Sequence, residues 1–454
     1  MATPTLSQRT GLTEGSVIKG MLLFAIPIFF SNLFQQLYNA VDSLIVGNFL
    51  GGDALAAVGS SGSLIFLLTG FVNGVSMGAG VLIARYYGAK DDDALHRAVH
   101  TTVALGIAAS VVMTVVGVVL TPQILRWMGT PDSVIGNSVA YFRTYFLGSG
   151  AVVMYNVGAS ILQSIGDSRS PMKYLITASI LNVLLDLLFI GVLHQGVAAA
   201  ALATVLSQAF SAVRAFAKLS RAQGPWAVHW KQLRLDPQML RAVVAQGLPS
   251  GVQNSVISLA NVIVQANINA FGSLAMAGCA SYSKIEGFAF LPVTCFSMGL
   301  ATFVSQNVGA GKPDRVRQGM KFGITCSVSL AEVIGVLTYL LAPFLIGLFS
   351  SEPDVVAFGV QQARTVSLFY CLLAFSHCAA GVLRGLGRPV VPMVVMLVVW
   401  CAIRITYITI TVHFIPQIGV IFWAYPLTWS ISSILFTIYL KNCPIPQLGG
   451  GARG

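Results

Sequence analysis

Residues 26–49 read IPIFFSNLFQQLYNAVDSLIVGNF. They form the inner part of an apolar run from Val17 to Phe49, long enough for a membrane helix. Asp42 sits deep inside it. A charge at such depth costs at least ~2.5–3.5 kcal/mol on insertion scales, so it is expected to line a cavity and to have a job. The bland alternative, snorkelling to the nearest surface, asks too much of a side chain as short as Asp. Ser31, Gln35, Tyr38 and Asp42 recur at helical spacing and share one face. Pro27 removes a backbone hydrogen bond and invites a bend. The stretch predicts a bendable helix with a polar stripe ending in an acid.

The rest of the chain fits such a start. Of 454 residues, 56% are hydrophobic and 9% charged, with a mean hydropathy of +0.79; soluble domains carry roughly 25% charged residues. The N-terminal MATPTLSQRTGLTEGS is polar, and the apolar run after it far exceeds a signal-peptide core, so it is expected to stay as a membrane helix. Long apolar segments recur, and the expected fold is an all-α polytopic membrane protein. Twelve transmembrane helices are predicted near 17–47, 54–84, 94–120, 134–164, 171–193, 197–219, 240–270, 275–308, 315–341, 355–386, 390–413 and 416–440. Turn chemistry separates them at Gly51-Gly52-Asp53, Thr130-Pro131-Asp132, Gly166-Asp167, Gly311-Lys312-Pro313-Asp314 and Ser350-Ser351-Glu352-Pro353-Asp354. The one long polar break, near Ser220–Gln238, divides an N-terminal lobe (1–220), a linker (221–238) and a C-terminal lobe (239–454).

Charge gives the orientation. Most of the 26 Lys and Arg fall at the N-terminus, in even-numbered loops and in the tail. The odd-numbered loops carry Asp53, Asp132, Glu352 and Asp354. By the positive-inside rule both termini are expected in the cytoplasm of a prokaryotic cell, with the lipid bilayer as partner. The net charge of +11 is thereby explained without a nucleic acid. The seven cysteines lie in the second half, mostly in apolar helices and without CxxC spacing, so they read as core residues. The histidines form no ligand set, and no metal site is expected. No Walker motif, Ser-His-Asp set or metalloprotease signature appears, which argues against an ATP-driven pump or an enzyme and for no catalytic residue.

The halves repeat. ILQSIGDSRSPM (161–172) matches VLRGLGRPVVPM (382–393), with Leu162, Gly166, Pro171 and Met172 falling on Leu383, Gly387, Pro392 and Met393 at one offset. VSMG (75–78) matches FSMG (296–299) at the same offset. A six-helix repeat returns the chain to the same side, so the lobes are expected to be related by a pseudo-twofold along the membrane normal, with ligand bound between lobes that rock.

The repeat sharpens the chemistry. Asn182 and Asp186 share a face of helix five, and Thr204 adds a hydroxyl from helix six. At the repeat offset Asp42, Asn182, Asp186 and Thr204 fall on Ile263, Ile403, Tyr407 and Tyr425. An acid needed only for architecture would be expected in both halves, so the first lobe is inferred to hold an ion site that the second lacks. Oxygen donors suit Na⁺; two nearby acids in a low dielectric suit H⁺; both ions stay open. The plain alternative is a hydrogen bond across helices. Tyr38 is expected to line a substrate cavity with Gln35, and Asn156 is a weaker lining residue. Glu286 is expected to be half solvated or paired with Lys284. Arg404 is a buried cation, Glu332 has no visible partner, and Gly74-x-x-x-Gly78 reads as a helix-packing motif.

These residues resemble the multidrug and toxic compound extrusion (MATE) family over about 15–440. The resemblance rests on Pro27…Gln35-x-x-Tyr38-x-x-x-Asp42, GGDALAAVG (51–59), SMGAGVLIARYYGAKD (76–91), LN-x-x-x-D (181–186) and LRGLGR-x-x-x-P (383–392). It implies a secondary antiporter, with no cofactor beyond its coupling ion, that exports organic, often cationic and amphipathic, compounds. The acid pattern resembles the DinF-like branch, which implies a cation site at Asp42, Asn182, Asp186 and Thr204 and a bending role for Pro27. Gln253 and Asn254 stand where the NorM-like branch has a glutamate. The two-lobed design is complete in one chain and is expected to work as a monomer. The alternative is a flippase of lipid-linked precursors with the same superfamily fold; such a cavity should carry several cations, and Arg404 is nearly alone.

Overall fold

The computed structural model describes residues 11–50, 52–127 and 132–444. The expected turns at Gly51–Asp53 and Thr130–Asp132, and the basic residues Arg9 and Arg453, lie wholly or partly outside them. In chain order the helices are α1 (Val17–Leu50), α2 (Gly52–Ala89), α3 (Asp92–Trp127), α4 (Asp132–Leu147 with Ser149–Ser164), α5 (Arg169–Val192), α6 (Ala198–Ser220), α7 (Pro237–Asn269), α8 (Ser273–Gly309), α9 (Pro313–Gly347), α10 (Pro353–Gly385), α11 (Val390–Phe414) and α12 (Ile418–Asn442). Among the described residues ten helices are long and apolar enough to cross a membrane, and α4, bent by 45° at Gly148, makes an eleventh. The twelfth is α7, long enough but diluted by amides such as Gln253, Asn254, Asn261 and Gln265.

The sequence repeat recurs in the backbone. Gly166 and Gly387, matched above, both take positive φ, 92° and 82°, a conformation open to Gly without a steric penalty. Each closes its helix in the same way. Gly166 N–H reaches Gln163 O while Asp167 N–H reaches Leu162 O; Gly387 N–H reaches Arg384 O while Arg388 N–H reaches Leu383 O, all at 2.9 Å. This is the Schellman closure. Beyond the glycine the chemistry diverges. Asp167 accepts from Lys218 Nζ (2.6 Å) and from Ser170 N–H (3.0 Å) and Oγ (2.7 Å). The matching positions in the second half are Arg388 and Tyr439, where Arg388 donates to the phenol at 2.9 Å.

The chain packs into two compact units, Ile26–Gly251 and Val252–Gly454 with the N-terminal residues through Ala25. The borders therefore fall inside α1 and α7, beside Pro27 and Pro249, and the 221–238 stretch belongs wholly to one unit. In the Ile26–Gly251 unit, Gly74 and Gly78 of α2 lie against Gly251 and Gly247 of α7. A Cβ on Gly78 would fall on Gly247 Cα and Gln246 O, so the packing reading of Gly74-x-x-x-Gly78 holds, with a second Gly-x-x-x-Gly facing it. In the other unit a Cβ on Gly299 of α8 would lie 3.8 Å from Phe24 Cδ1 and 4.0 Å from Ala25 Cβ of α1. Ahead of α1, the Leu12 N–H donates to Gln306 Oε1 (2.9 Å), and Arg315 donates to the Leu12, Glu14 and Gly15 carbonyls.

Two outcomes follow for stability. Gly78→Leu forces the α2–α7 backbones apart and lowers stability by about 1–3 kcal/mol, the usual range for overpacking, read as a lower melting temperature in detergent. At Asp167 burial works upward on the carboxyl, but the Lys218 ammonium and the Ser170 donors outweigh it and hold it below its ordinary 3.8. Its contribution is therefore complete above about pH 4 and is lost as the pH falls further; the melting-temperature gap between wild type and Asp167→Asn should close in that acid range and stay open above it.

Candidate functional site

The polar residues expected to act together do converge, within the Ile26–Gly251 unit. α1 runs unbroken through Pro27, whose carbonyl accepts from Ser31 Oγ at 3.0 Å. The same face then carries Gln35, Tyr38 and Asp42. α5 presents Asn182 and Asp186, and α6 presents Thr204 across from them. Asp42, Asn182 and Asp186 are 9%, 1% and 0% exposed.

The Asp42 and Asp186 carboxyls lie within side-chain hydrogen-bonding reach of each other. One oxygen of each, Oδ1, has no donor among the described residues. The Asn182 amide lies 3.4 Å from Thr204 Oγ1. Turned to satisfy both neighbours, it donates to Asp186 Oδ2 (3.3 Å) and accepts from the Thr204 N–H (3.2 Å). Thr204 Oγ1 itself donates to the Ala200 carbonyl at 3.1 Å, leaving its lone pairs toward the amide. Two acids without a cationic partner, held face to face away from water, repel unless a proton or a cation lies between them. All the ligand atoms on offer are oxygens, the donor type of hard cations.

Backbone pitch changes at this point. Immediately after Asp186 the helix widens to π geometry over Leu187–Val192, with Leu193 N–H reaching Leu188 O at 2.9 Å. Such widened turns concentrate at functional sites. α11, the counterpart of α5 in the repeat, has its own π stretch, Leu397–Ile403.

Residues beyond the expected set join the site. Tyr38 lies beside the amides of Gln35 and Gln208. Tyr38, Ser179, Asn182, Thr204, Ser207 and Gln208 line a narrow crevice. Gln208 is one turn from Thr204 on α6, and that four-residue spacing was the signal that would have found it. The buried Tyr141 and Tyr145 stand within electrostatic reach of Tyr38. Asn156 is not among the residues lining this crevice, and its amide donates to the Val152 carbonyl of its own helix at 2.8 Å.

The second half builds different polar contacts in its own unit. Glu286 takes its hydrogen bond from Tyr282 (3.3 Å), which also contacts the Tyr370 hydroxyl at 2.8 Å. Of the two expectations for Glu286, the part-exposed one is met, and no ion pair with Lys284 forms among the described residues, because residues two apart point to different sides of a helix. Arg404 donates to Thr428 Oγ1 at 2.8 and 3.2 Å and is covered by the Tyr425 ring at 4.5 Å and Trp400 at 5.6 Å.

One family model, MatE, matches the chain twice, over residues 27–188 and 249–410. The chain belongs to the MatE family. The two matches to one MatE model are the internal repeat seen from outside the molecule. Similar MatE-type proteins include the probable multidrug resistance protein YoeA of Bacillus subtilis, 27% identical over 96% of both chains. The probable multidrug resistance protein NorM of Thermotoga maritima is 26% identical over 85% of this chain and 83% of that one. Among solved structures, an outward-facing multidrug resistance MATE family transporter superposes with a TM-score of 0.88 at 21% identity, covering 95% of this chain and 96% of that one. A MOP superfamily transporter from Pyrococcus furiosus gives 0.90 at 21% identity, covering 97% and 98%. These likenesses bear out the all-α polytopic membrane fold, and MatE membership places the chain among transporters rather than enzymes.

Replacing one acid should relieve the crowding between the two. Asp186→Asn is expected to raise the melting temperature at pH 8 by roughly 2–4 °C, the shift that about 1 kcal/mol gives a domain of this size, with Asp167→Asn as a control that shows no such gain.

Proposed function

We propose that this protein exports organic, amphipathic cations across a prokaryotic cytoplasmic membrane in exchange for H⁺ or Na⁺, as a DinF-like member of its family. The observation that carries the reading is the buried Asp42–Asp186 pair with Asn182 and Thr204 beside it. H⁺ or Na⁺ entering that group neutralises the repulsion between the acids. Pro27, on the same helix, is the point at which α1 bends in response, and the bend closes the cavity lined by Gln35 and Tyr38, with Asn156 farther along. The lobes then rock, and the cation leaves toward the cytoplasm, where both termini lie. One chain performs the cycle. The multidrug names of the relatives support the substrate class.

The energetics have the right sign. An inside-negative potential favours cation entry by ~2.3 kcal/mol per charge per 100 mV. Coupling needs the ion and the substrate to weaken each other's binding, reciprocally. Two acids serve both requirements, since the same carboxylates attract an ion or a cationic drug.

The test uses purified protein in liposomes loaded with a fluorescent cationic dye, under a proton gradient alone and then a sodium gradient alone. Dye movement under one gradient is expected, reduced at least tenfold in Asp42→Asn with insertion unchanged. Asp42→Asn liposomes that move dye at the wild-type rate would sink the ion-site reading. No movement in wild type under either gradient would turn the assignment to the lipid-precursor flippase.

A further inference from the structure

A second pocket in the same unit shares no lining residue with the crevice at the acid pair. The first turns of α3 and the stretch leading into α7 enclose about 390 Å³, lined by His96, Arg97, Thr101, Lys231, Arg234 and Asp236. This size falls in the range of ligand pockets, and the transport reading gives it no role.

The walls are fixed. His100 uses both ring nitrogens, Nδ1 on the His96 carbonyl (2.8 Å) and Nε2 accepting the His229 N–H (3.0 Å). Its ring stacks on His96 at 3.9 Å between centroids. Thr101 Oγ1 accepts the Asp236 N–H at 3.4 Å. The stretch is thus pinned to α3 at both ends of the pocket. No three His, Cys, Asp or Glu among the described residues are placed to hold a metal, so the imidazoles are not a metal centre.

Charge and polarity say what the pocket suits. Arg97 pairs with Asp236 at 3.4 Å, which uses the only carboxylate in the lining. Lys231 and Arg234 are exposed and enter no ion pair among the described residues. The pocket is left net positive. The apolar residues next to the lining in sequence are the second observation. Trp230 and Leu235, flanking the two cations in sequence, are 51% and 47% exposed, and the indole is oriented by its bond to Ser220 Oγ at 3.1 Å. A soluble anion needs only the cations. Cations beside an exposed Trp and Leu at the start of a membrane span match a lipid interface.

We propose that this pocket binds the phosphate of an anionic phospholipid, with Lys231 and Arg234 on the phosphate and Trp230 and Leu235 against the start of the acyl chains. The proposal is independent of the transported substrate. Native mass spectrometry of the detergent-purified protein, titrated with phosphatidylglycerol or phosphatidylcholine, tests it. Phosphatidylglycerol is expected to bind in preference. The double variant Lys231→Gln/Arg234→Gln should bind it about 25-fold more weakly, from roughly fivefold per basic residue at an anionic surface. The charge-keeping variant Lys231→Arg/Arg234→Lys should retain binding, and all three proteins should melt alike without lipid. Equal binding of the two lipids, or unchanged affinity in the Gln variant, overturns the proposal. Displacement of the lipid by millimolar inorganic phosphate alone would assign a soluble-anion site and overturn it equally.

Discussion

A carboxylate taken out of water must find something to share its charge with, and here Asp42 and Asp186 find each other. Neither has an arginine or lysine partner in the cluster. What the fold supplies instead is neutral oxygen and amide chemistry: Asn182, Thr204, Gln208 and Tyr38. Such a cluster is incomplete electrostatically by design of its residues. A fixed cationic side chain would fill the place permanently, which the proposed ion exchange would not allow. The arrangement therefore makes sense where the compensating charge comes and goes.

The rest of the unit serves to hold those few atoms in register. Three helices must bring one polar face each to one point, and each has a local device near it. α1 has Pro27 with Ser31 reaching back to its carbonyl, and α5 has the π turn next to Asp186. Alanine-rich α6 can approach closely because its buried face is small. The second half repeats the frame with other contents. Schellman closures recur at matching glycines while the ion pair of Asp167 and Lys218 becomes Arg388 and Tyr439. The acid pair's counterpart region holds instead an arginine boxed by Trp400, Tyr425 and Thr428. Backbone geometry has been kept and charge has been redistributed.

Much of this was legible in the chain itself. Asp42, Asn182 and Asp186 stand out because a polar group in a long apolar run carries a high desolvation penalty, and helical spacing puts them on common faces. The repeat was visible because glycine at positive φ cannot drift freely. Other features leave no such trace. Hydrophobic periodicity is blind to pitch, so the π stretches and the bend at Gly148 were not foreseen. Asn156 looks as polar as Asn182 on paper; only the structure shows that one of its amide N–H groups bonds to its own helix and that it lies outside the crevice. Gln208 lies in mid-span one turn from Thr204, and its spacing was readable but was not used. The unit borders inside α1 and α7 were hidden because an apolar helix reads continuously whichever body its turns pack against.

Those borders have a topological consequence. The opening turns of α7 fill a seat on the unit built from the first half, and the opening turns of α1 fill the matching seat on the other. A half-length chain with this order of segments would find its missing seat only on a second copy of itself, and would be an exchanged homodimer. Joining two such copies end to end converts a bimolecular assembly into a single folding problem. In a joined chain the two halves need not match, and here one carries acids where the other does not.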